Sequence, residues 1–219
     1  MIKAHFSALS IEELANAITH GFGLVLSVIG LAALAVLTGI RGDRWLIVSC
    51  VIYGLSLVTL YAASTIYHSV LSQTLKRRLQ VVDHCGIYLL IAGSYTPFGL
   101  LILNGELGRY MLIAIWAFAV IGIVVKLWIR DRYPAVSVVS YLIMGWIGVF
   151  AIQPLLAAIG PTAIAMIVAG GVAYSAGVIF FGWHRIPHNH AIFHIFILAG
   201  SIIHYVAVVL YVVPFSAAT

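Results

Sequence analysis

Long apolar segments alternate with short polar or turn-rich breaks along the whole chain. Each segment has about the 20 residues that an α-helix needs to cross 30 Å of hydrocarbon. No period-two alternation accompanies them, which argues against a membrane β-barrel. The pattern predicts an all-α integral membrane protein with seven transmembrane helices: Ala17–Ile40, Trp45–Tyr67, Val82–Leu103, Tyr110–Ile129, Val136–Leu156, Thr162–Phe181 and Ala191–Val213.

The breaks between these segments are too short to hold a second domain. We therefore expect antiparallel neighbouring spans and a single transmembrane domain over residues 1–219, with an amphipathic lead over about residues 1–16 and spans over about 17–213. The lead contains two glutamates and no cleavage pattern follows it, so it is not predicted to be a signal peptide. Ser10 and Glu13 form a capping-box pattern that predicts a helix start near Ile11. Capping alone accounts for Glu13, and a role in the polar site is the alternative.

Composition and charge agree with a membrane protein and predict its orientation. Hydrophobic residues make up 63% of the chain and charged residues 8%, whereas soluble domains have roughly 25% charged residues. Of the 11 Lys and Arg residues, only Arg41, Arg44 and Arg109 fall on one side of the membrane. The side that includes the N-terminus has the other eight: Lys3, Lys76, Arg77, Arg78, Lys126, Arg130, Arg132 and Arg185. The positive-inside rule therefore predicts a cytoplasmic N-terminus and a periplasmic C-terminus.

Three further features do not change this picture. Cys50 and Cys85 lie in apolar spans without CxxC spacing, so buried free thiols are expected. The net charge of +5 is explained as a topology signal and an attraction to anionic headgroups, and no nucleic-acid motif accompanies it. Pro97 should kink the third span.

Polar residues gather at the predicted cytoplasmic ends of four spans. Ionisable residues in such places are costly and point to function. They are Glu13, Asn16 and His20 before the first span, Ser64 and His68 at the end of the second, Asp83 and His84 at the start of the third, and His190 and His194 at the start of the seventh.

This distribution predicts a metal site. His190 and His194 are four residues apart, so both imidazoles can reach one ion from a single helix face. His68 is the expected third ligand, although His84 or His20 could take its place. Three nitrogen ligands suit zinc. His204 lies about 15 Å deeper by helical rise and is expected to be a packing histidine.

The motifs "EELANAITH", "STIYH", "DHCGIYLLIAGSYTPF" and "NHAIFH" together resemble the hemolysin III family of bacterial inner-membrane proteins, within the progestin and adiponectin receptor superfamily. The resemblance covers essentially the whole chain. It implies a seven-helix bundle with zinc held by His68, His190 and His194. It also implies that Asp83 holds a water at the metal and that Ser64 lies beside it. The wider superfamily includes ceramide-cleaving amidases.

Two functions follow from these residues. The first is a zinc-dependent hydrolase that cuts an amide or ester bond of a membrane lipid, with Asp83 as the proton acceptor. The second is a sensor or regulator of lipid homeostasis with a structural zinc, in which Asp83 is the fourth ligand directly or through water. A channel or transporter is disfavoured because the ionisable residues cluster at one mouth. The expected location is the bacterial inner membrane, and the expected partner is a membrane lipid.

Overall fold

The computed structural model describes residues 9–103, 105–130 and 132–215. The α-helices of the described residues are α1 (Ile11–Arg41), α2 (Arg44–Ser69), α3 (Gln73–Pro97), α4 (Glu106–Ile129), α5 (Pro134–Trp146), α6 (Ile152–Gly182) and α7 (Asn189–Ala207). A π-helical turn extends α3 over Phe98–Ile102 and another extends α7 over Val208–Val212, while a 3₁₀ turn over Ile147–Ala151 joins α5 to α6.

Short side chains begin and end the first helices as the sequence indicates. The Ser10 hydroxyl accepts a hydrogen bond from the Glu13 backbone N–H, which confirms the helix start at Ile11. Gly42 adopts a left-handed conformation with φ 73° and ends α1. Asp43 then caps α2 by accepting from two backbone N–H groups. The left-handed Gly42 and the Asp43 cap therefore determine the turn between α1 and α2.

The third helix differs from the expected one at both ends. It begins at Gln73, nine residues before the apolar segment, because Ser72 caps it and the basic residues of its first turns are helical. At the other end the regular α-helix stops at Pro97 and widens into the π-helical turn. This irregularity directly follows Pro97, and the kink that the proline predicts in this span stays a prediction.

The segment Pro134–Gly182 is one continuous apolar helical run of 49 residues that folds back on itself. A straight helix of that length would extend about 73 Å. The backbone leaves helical geometry at Gly160, with φ 78° and ψ 172°, and Pro161 follows. The Trp146 indole N–H donates to the Ser175 hydroxyl at 3.0 Å across this turn. The fold-back thus falls in the break predicted between the fifth and sixth spans.

The described residues contain six helices that are long and apolar enough to cross a membrane, counting Pro134–Gly182 as one. Large apolar side chains cover the outside of the bundle: Ile40 is 81% exposed, and Trp128 and Phe150 are each 87% exposed. In water such an apolar surface would favour aggregation, whereas in a bilayer it contacts lipid. The exterior therefore agrees with a membrane-embedded bundle.

Packing joins the helices into a ring of neighbours. The closest associations are α1 with α2, α2 with α3, and α6 with α7, and α1 also contacts α7. Gly93 lets α3 approach α2 because a Cβ at this position would lie 2.6 Å from the Ser56 Cβ. Both cysteines are free thiols, as predicted; Cys50 is buried in the main apolar cluster, whereas Cys85 is only half-buried, so the predicted burial holds for Cys50 alone. The contacts between α1, α2 and α7 bring the polar ends of these helices together.

Candidate metal centre

Three histidines predicted to meet lie in one cluster. His68 comes from the last turn of α2, whereas His190 and His194 come from the first turns of α7. Each offers a ring nitrogen, and the three nitrogens lie within 4.8 Å of one another. His68 and His194 are each 1% exposed. The cluster is a possible metal-binding site.

Local structure places the two histidines of α7. Asn189 donates from its side-chain amide to the carbonyls of Phe180 and Phe181, at 3.1 and 3.0 Å, and so joins the start of α7 to the end of α6. His188 precedes the helix with φ 56°, in the left-handed region. The sharp turn that results sends His190 and His194 along one face of α7.

The Glu13 side chain contacts the histidine cluster in addition to its place in the helix cap. Its carboxylate Oε2 is 2.7 Å from His68 Nδ1, and its Oε1 is 2.8 Å from Lys76 Nζ. The prediction that capping alone accounts for Glu13 is therefore wrong. Its backbone N–H takes part in the cap, but its side chain crosses to α2 and α3. The signal was the spacing of Glu13, Asn16 and His20, which places them along one side of α1.

Two residues of α1 contact His194. The Thr19 hydroxyl lies 3.3 Å from His194 Nδ1. The His20 ring stacks on the His194 ring, with 3.4 Å between centroids and 14° between planes. His20 is not one of the three clustered ligands, so among the candidates for a third ligand the described structure favours His68.

Asp83 and Ser64 lie next to this cluster. Asp83 is buried in the first half of α3, within electrostatic range of His68, His84 and Lys126. Ser64 is fully buried one helical turn before His68, and its hydroxyl lies beside the Asp83 carboxylate, outside strict hydrogen-bond geometry. The hydroxyl does not bond its own helix, unlike many serines in apolar helices.

Several buried polar atoms around the cluster have no hydrogen-bond partner among the described residues. Buried polar groups are nearly always paired, so such a concentration points to a missing ion, water or ligand. The atoms are His68 Nε2, both ring nitrogens of His20, Asn16 Oδ1 and Ser64 Oγ. His68 Nε2 is the nitrogen left after Glu13 occupies Nδ1. A divalent metal that prefers imidazole fits this donor set.

A cavity of about 240 Å³ opens from the cluster into the bundle. His190, His194 and Asp83 line one end of it, and His204 lies at the other. Most of the remaining wall is aliphatic or aromatic and comes from α3, α5, α6 and α7. The cavity therefore combines one polar end with a long apolar extension, which is the usual composition of a small-molecule site.

The deep histidine is a packing residue, as predicted. His204 Nε2 lies 2.9 Å from the Ile167 carbonyl oxygen on α6, and the Tyr174 ring lies edge-on against the His204 ring. Nearby, the Tyr61 hydroxyl donates to Ser201 at 2.8 Å. These bonds satisfy polar groups at the core of the bundle, away from the histidine cluster.

One charge counted toward orientation lies inside the protein. Lys126 is counted among the basic residues of the predicted cytoplasmic side, but it is 1% exposed and lies near Asp83 and Cys85. It is therefore a weaker indicator of membrane orientation than the exposed Arg77 and Arg78.

The chain is similar to known proteins over most of its length. Residues 9–205 match the family model described as haemolysin-III related. The chain is 43% identical to the hemolysin-3 homolog of Bacillus subtilis, over 92% of this chain and 95% of that protein. It is 42% identical to hemolysin-3 of Bacillus cereus, over 93% of each.

A more distant relative comes from animals. The chain is 33% identical to the human monocyte to macrophage differentiation factor, over 90% of this chain and 83% of that protein. The match of the family model includes all three clustered histidines, Asp83 and Ser64. With its membrane-length apolar helices and nearly full-length relatives, this multi-pass membrane protein belongs to the haemolysin-III related family.

Proposed function

We propose that the protein is a zinc-dependent hydrolase that cleaves an amide or ester bond of a membrane lipid. The observation that carries the proposal is that His190 and His194, clustered with His68, line the polar end of an apolar cavity, with Asp83 on the wall of the same cavity. Three protein ligands are the usual number in a catalytic zinc site, whereas structural sites usually have four. The apolar extension suits an acyl chain.

The roles of the residues follow from their chemistry. The three histidines would hold the metal through neutral nitrogens, and zinc bound there would supply an electrophile for a carbonyl and lower the pKa of water. Asp83 accepts a proton from the water whose oxygen attacks the carbonyl carbon. It then returns the proton to the nitrogen or oxygen of the leaving group as the scissile bond breaks. Ser64, beside Asp83, orients its carboxylate.

We place the protein in the bacterial plasma membrane as a single domain with seven spans and a cytoplasmic N-terminus. The seventh span arises by dividing Pro134–Gly182 at Gly160, and the Trp146–Ser175 hydrogen bond supports two antiparallel halves. An odd number of spans puts the two termini on opposite sides. The basic residues at the start of α3 support the same orientation.

The proposal is tested by Asp83→Asn, which keeps the size of the side chain but removes its basicity. Turnover of fluorescent amide and ester lipids should fall by roughly 100-fold or more, as expected for loss of a general base. Zinc content should stay close to that of wild type because the three histidines remain. Asp43→Asn is the matched control, since Asp43 caps α2 and lies at an exposed position. This control should leave turnover unchanged.

A sensor with a structural zinc is the second candidate, because the cluster joins α2 to α7 and so could simply fix the bundle. In that case Asp83 is the fourth ligand, directly or through water. Asp83→Asn would then lower both the zinc content and the melting temperature. Wild-type protein that is loaded with zinc but inert toward every lipid class tested would refute the hydrolase and favour the sensor.

A further inference from the structure

Glu13 connects three helices through its two carboxylate oxygens. Oε2 lies 2.7 Å from His68 Nδ1 on α2, and Oε1 lies 2.8 Å from Lys76 Nζ on α3. The Glu13 side chain is 27% exposed, the Lys76 side chain 14%, and the His68 side chain 1%. The carboxylate is therefore held from both sides, at the edge of the buried cluster.

This contact determines which nitrogen of His68 can bind a metal. A neutral imidazole has one N–H donor and one nitrogen lone pair, and a carboxylate accepts hydrogen bonds only. His68 Nδ1 must therefore carry the hydrogen that it donates to Glu13. The lone pair is left on Nε2, which is buried and has no partner in the described part of the chain. His68 Nε2, the buried nitrogen without a partner in that part of the chain, is therefore the atom that can bind a metal.

We infer that Glu13 is the positioning residue of the metal centre: it fixes the tautomer and ring orientation of His68, and Lys76 fixes Glu13 in turn. The inference rests on the metal centre of the proposed function. Carboxylates commonly occupy this place behind metal-bound histidines, where they orient the ring and increase its strength as a ligand. Here the carboxylate comes from the helix α1, which supplies none of the three ligands.

Glu12 provides the matched control because it is the same residue type in the same first helical turn, and it is exposed. A general effect of negative charge near the helix N-terminus would be shared by both glutamates. An effect on His68 would be confined to Glu13. Comparing the two therefore separates positioning from capping and from overall charge.

The test is zinc affinity, measured by chelator competition on purified wild type, Glu13→Ala, Glu13→Gln and Glu12→Ala. Glu13→Ala should weaken zinc binding by roughly 10- to 100-fold. Glu13→Gln should recover part of the loss because its amide oxygen can still accept from His68 Nδ1. Glu12→Ala should bind zinc as wild type does. With cobalt in place of zinc, the visible absorption should change in Glu13→Ala and not in Glu12→Ala.

Lys76→Met is the control for a fold defect in the Glu13 variants. It removes the ion pair between Lys76 and Glu13 and leaves the contact between Glu13 and His68 in place. It should weaken zinc binding less than Glu13→Ala does. Equal affinities for Glu13→Ala and wild type would overturn the inference, as would an equal loss in Lys76→Met and Glu13→Ala. Wild-type protein that binds no metal would instead refute the metal centre itself, and this inference with it.

Discussion

Tyr95→Phe tests how the wall of the cavity is held in place. The Tyr95 hydroxyl, on α3, donates to the Gly145 carbonyl at 2.7 Å and accepts from the Gly148 N–H at 2.8 Å. Both backbone groups lie where α5 passes into the 3₁₀ turn, and Tyr95, Gly145 and Gly148 all line the cavity. The hydroxyl therefore joins two neighbouring helices of the cavity wall.

The substitution removes both hydrogen bonds and adds no bulk. At about 1–1.5 kcal/mol for each bond, the free energy of unfolding should fall by about 2–3 kcal/mol. For a chain of this size each kcal/mol lowers the melting temperature by about 2–4 °C, so the expected decrease is about 4–12 °C. The assay is thermal unfolding in detergent, followed by circular dichroism.

Tyr110→Phe is the control, because Tyr110 is 59% exposed on α4. It should change the free energy of unfolding by no more than about 0.5 kcal/mol. A Tyr95→Phe protein that melts within about 1–2 °C of wild type would show that these bonds do not hold α5, and would refute this account of the cavity wall.

Three further results are expected. Gly93→Ala should destabilise the protein by about 1–3 kcal/mol in thermal unfolding because its Cβ would overlap Ser56, whereas Gly39→Ala, with open space around it, should be neutral or slightly stabilising. Alkaline phosphatase should be active when fused after Thr219 or in the turn at Gly42 and inactive at the N-terminus; the reverse pattern would overturn the orientation. Prolonged chelation should lower the melting temperature of wild type, and added zinc should restore it; a melting temperature that does not respond to chelation would argue against a resident metal.

Much of the fold could be predicted from hydropathy alone. The requirement for about 20 apolar residues per span is strong, so helical structure covers the predicted segments, although the fifth and sixth lie in one helical run of 49 residues. Helix ends were predictable where a short side chain determines them, as at Ser10 and Gly42. The early start of α3 was not, because its first turns are polar and carry no hydropathy signal. The hydroxyl of Ser72 was the local signal for that start.

The histidine cluster was predictable in part, because spacing along a single helix is visible in the sequence. The spacing of His190 and His194 sets both on one face of a single helix, whatever its neighbours. The rotation of α1 and α4 about their own axes is set by packing between helices, which a single sequence does not encode locally. For that reason the contact of Glu13 with His68 and the burial of Lys126 appeared only in the structure.

The metal content of the purified protein tests the central claim most directly. Elemental analysis should find about one zinc per chain in wild type, as expected for a single three-histidine site. The double variant His190→Ala/His194→Ala should lose this zinc, whereas His184→Ala, which removes an exposed histidine of the preceding turn, should retain it. Full zinc occupancy in the double variant, or no metal in wild type, would contradict the proposed centre.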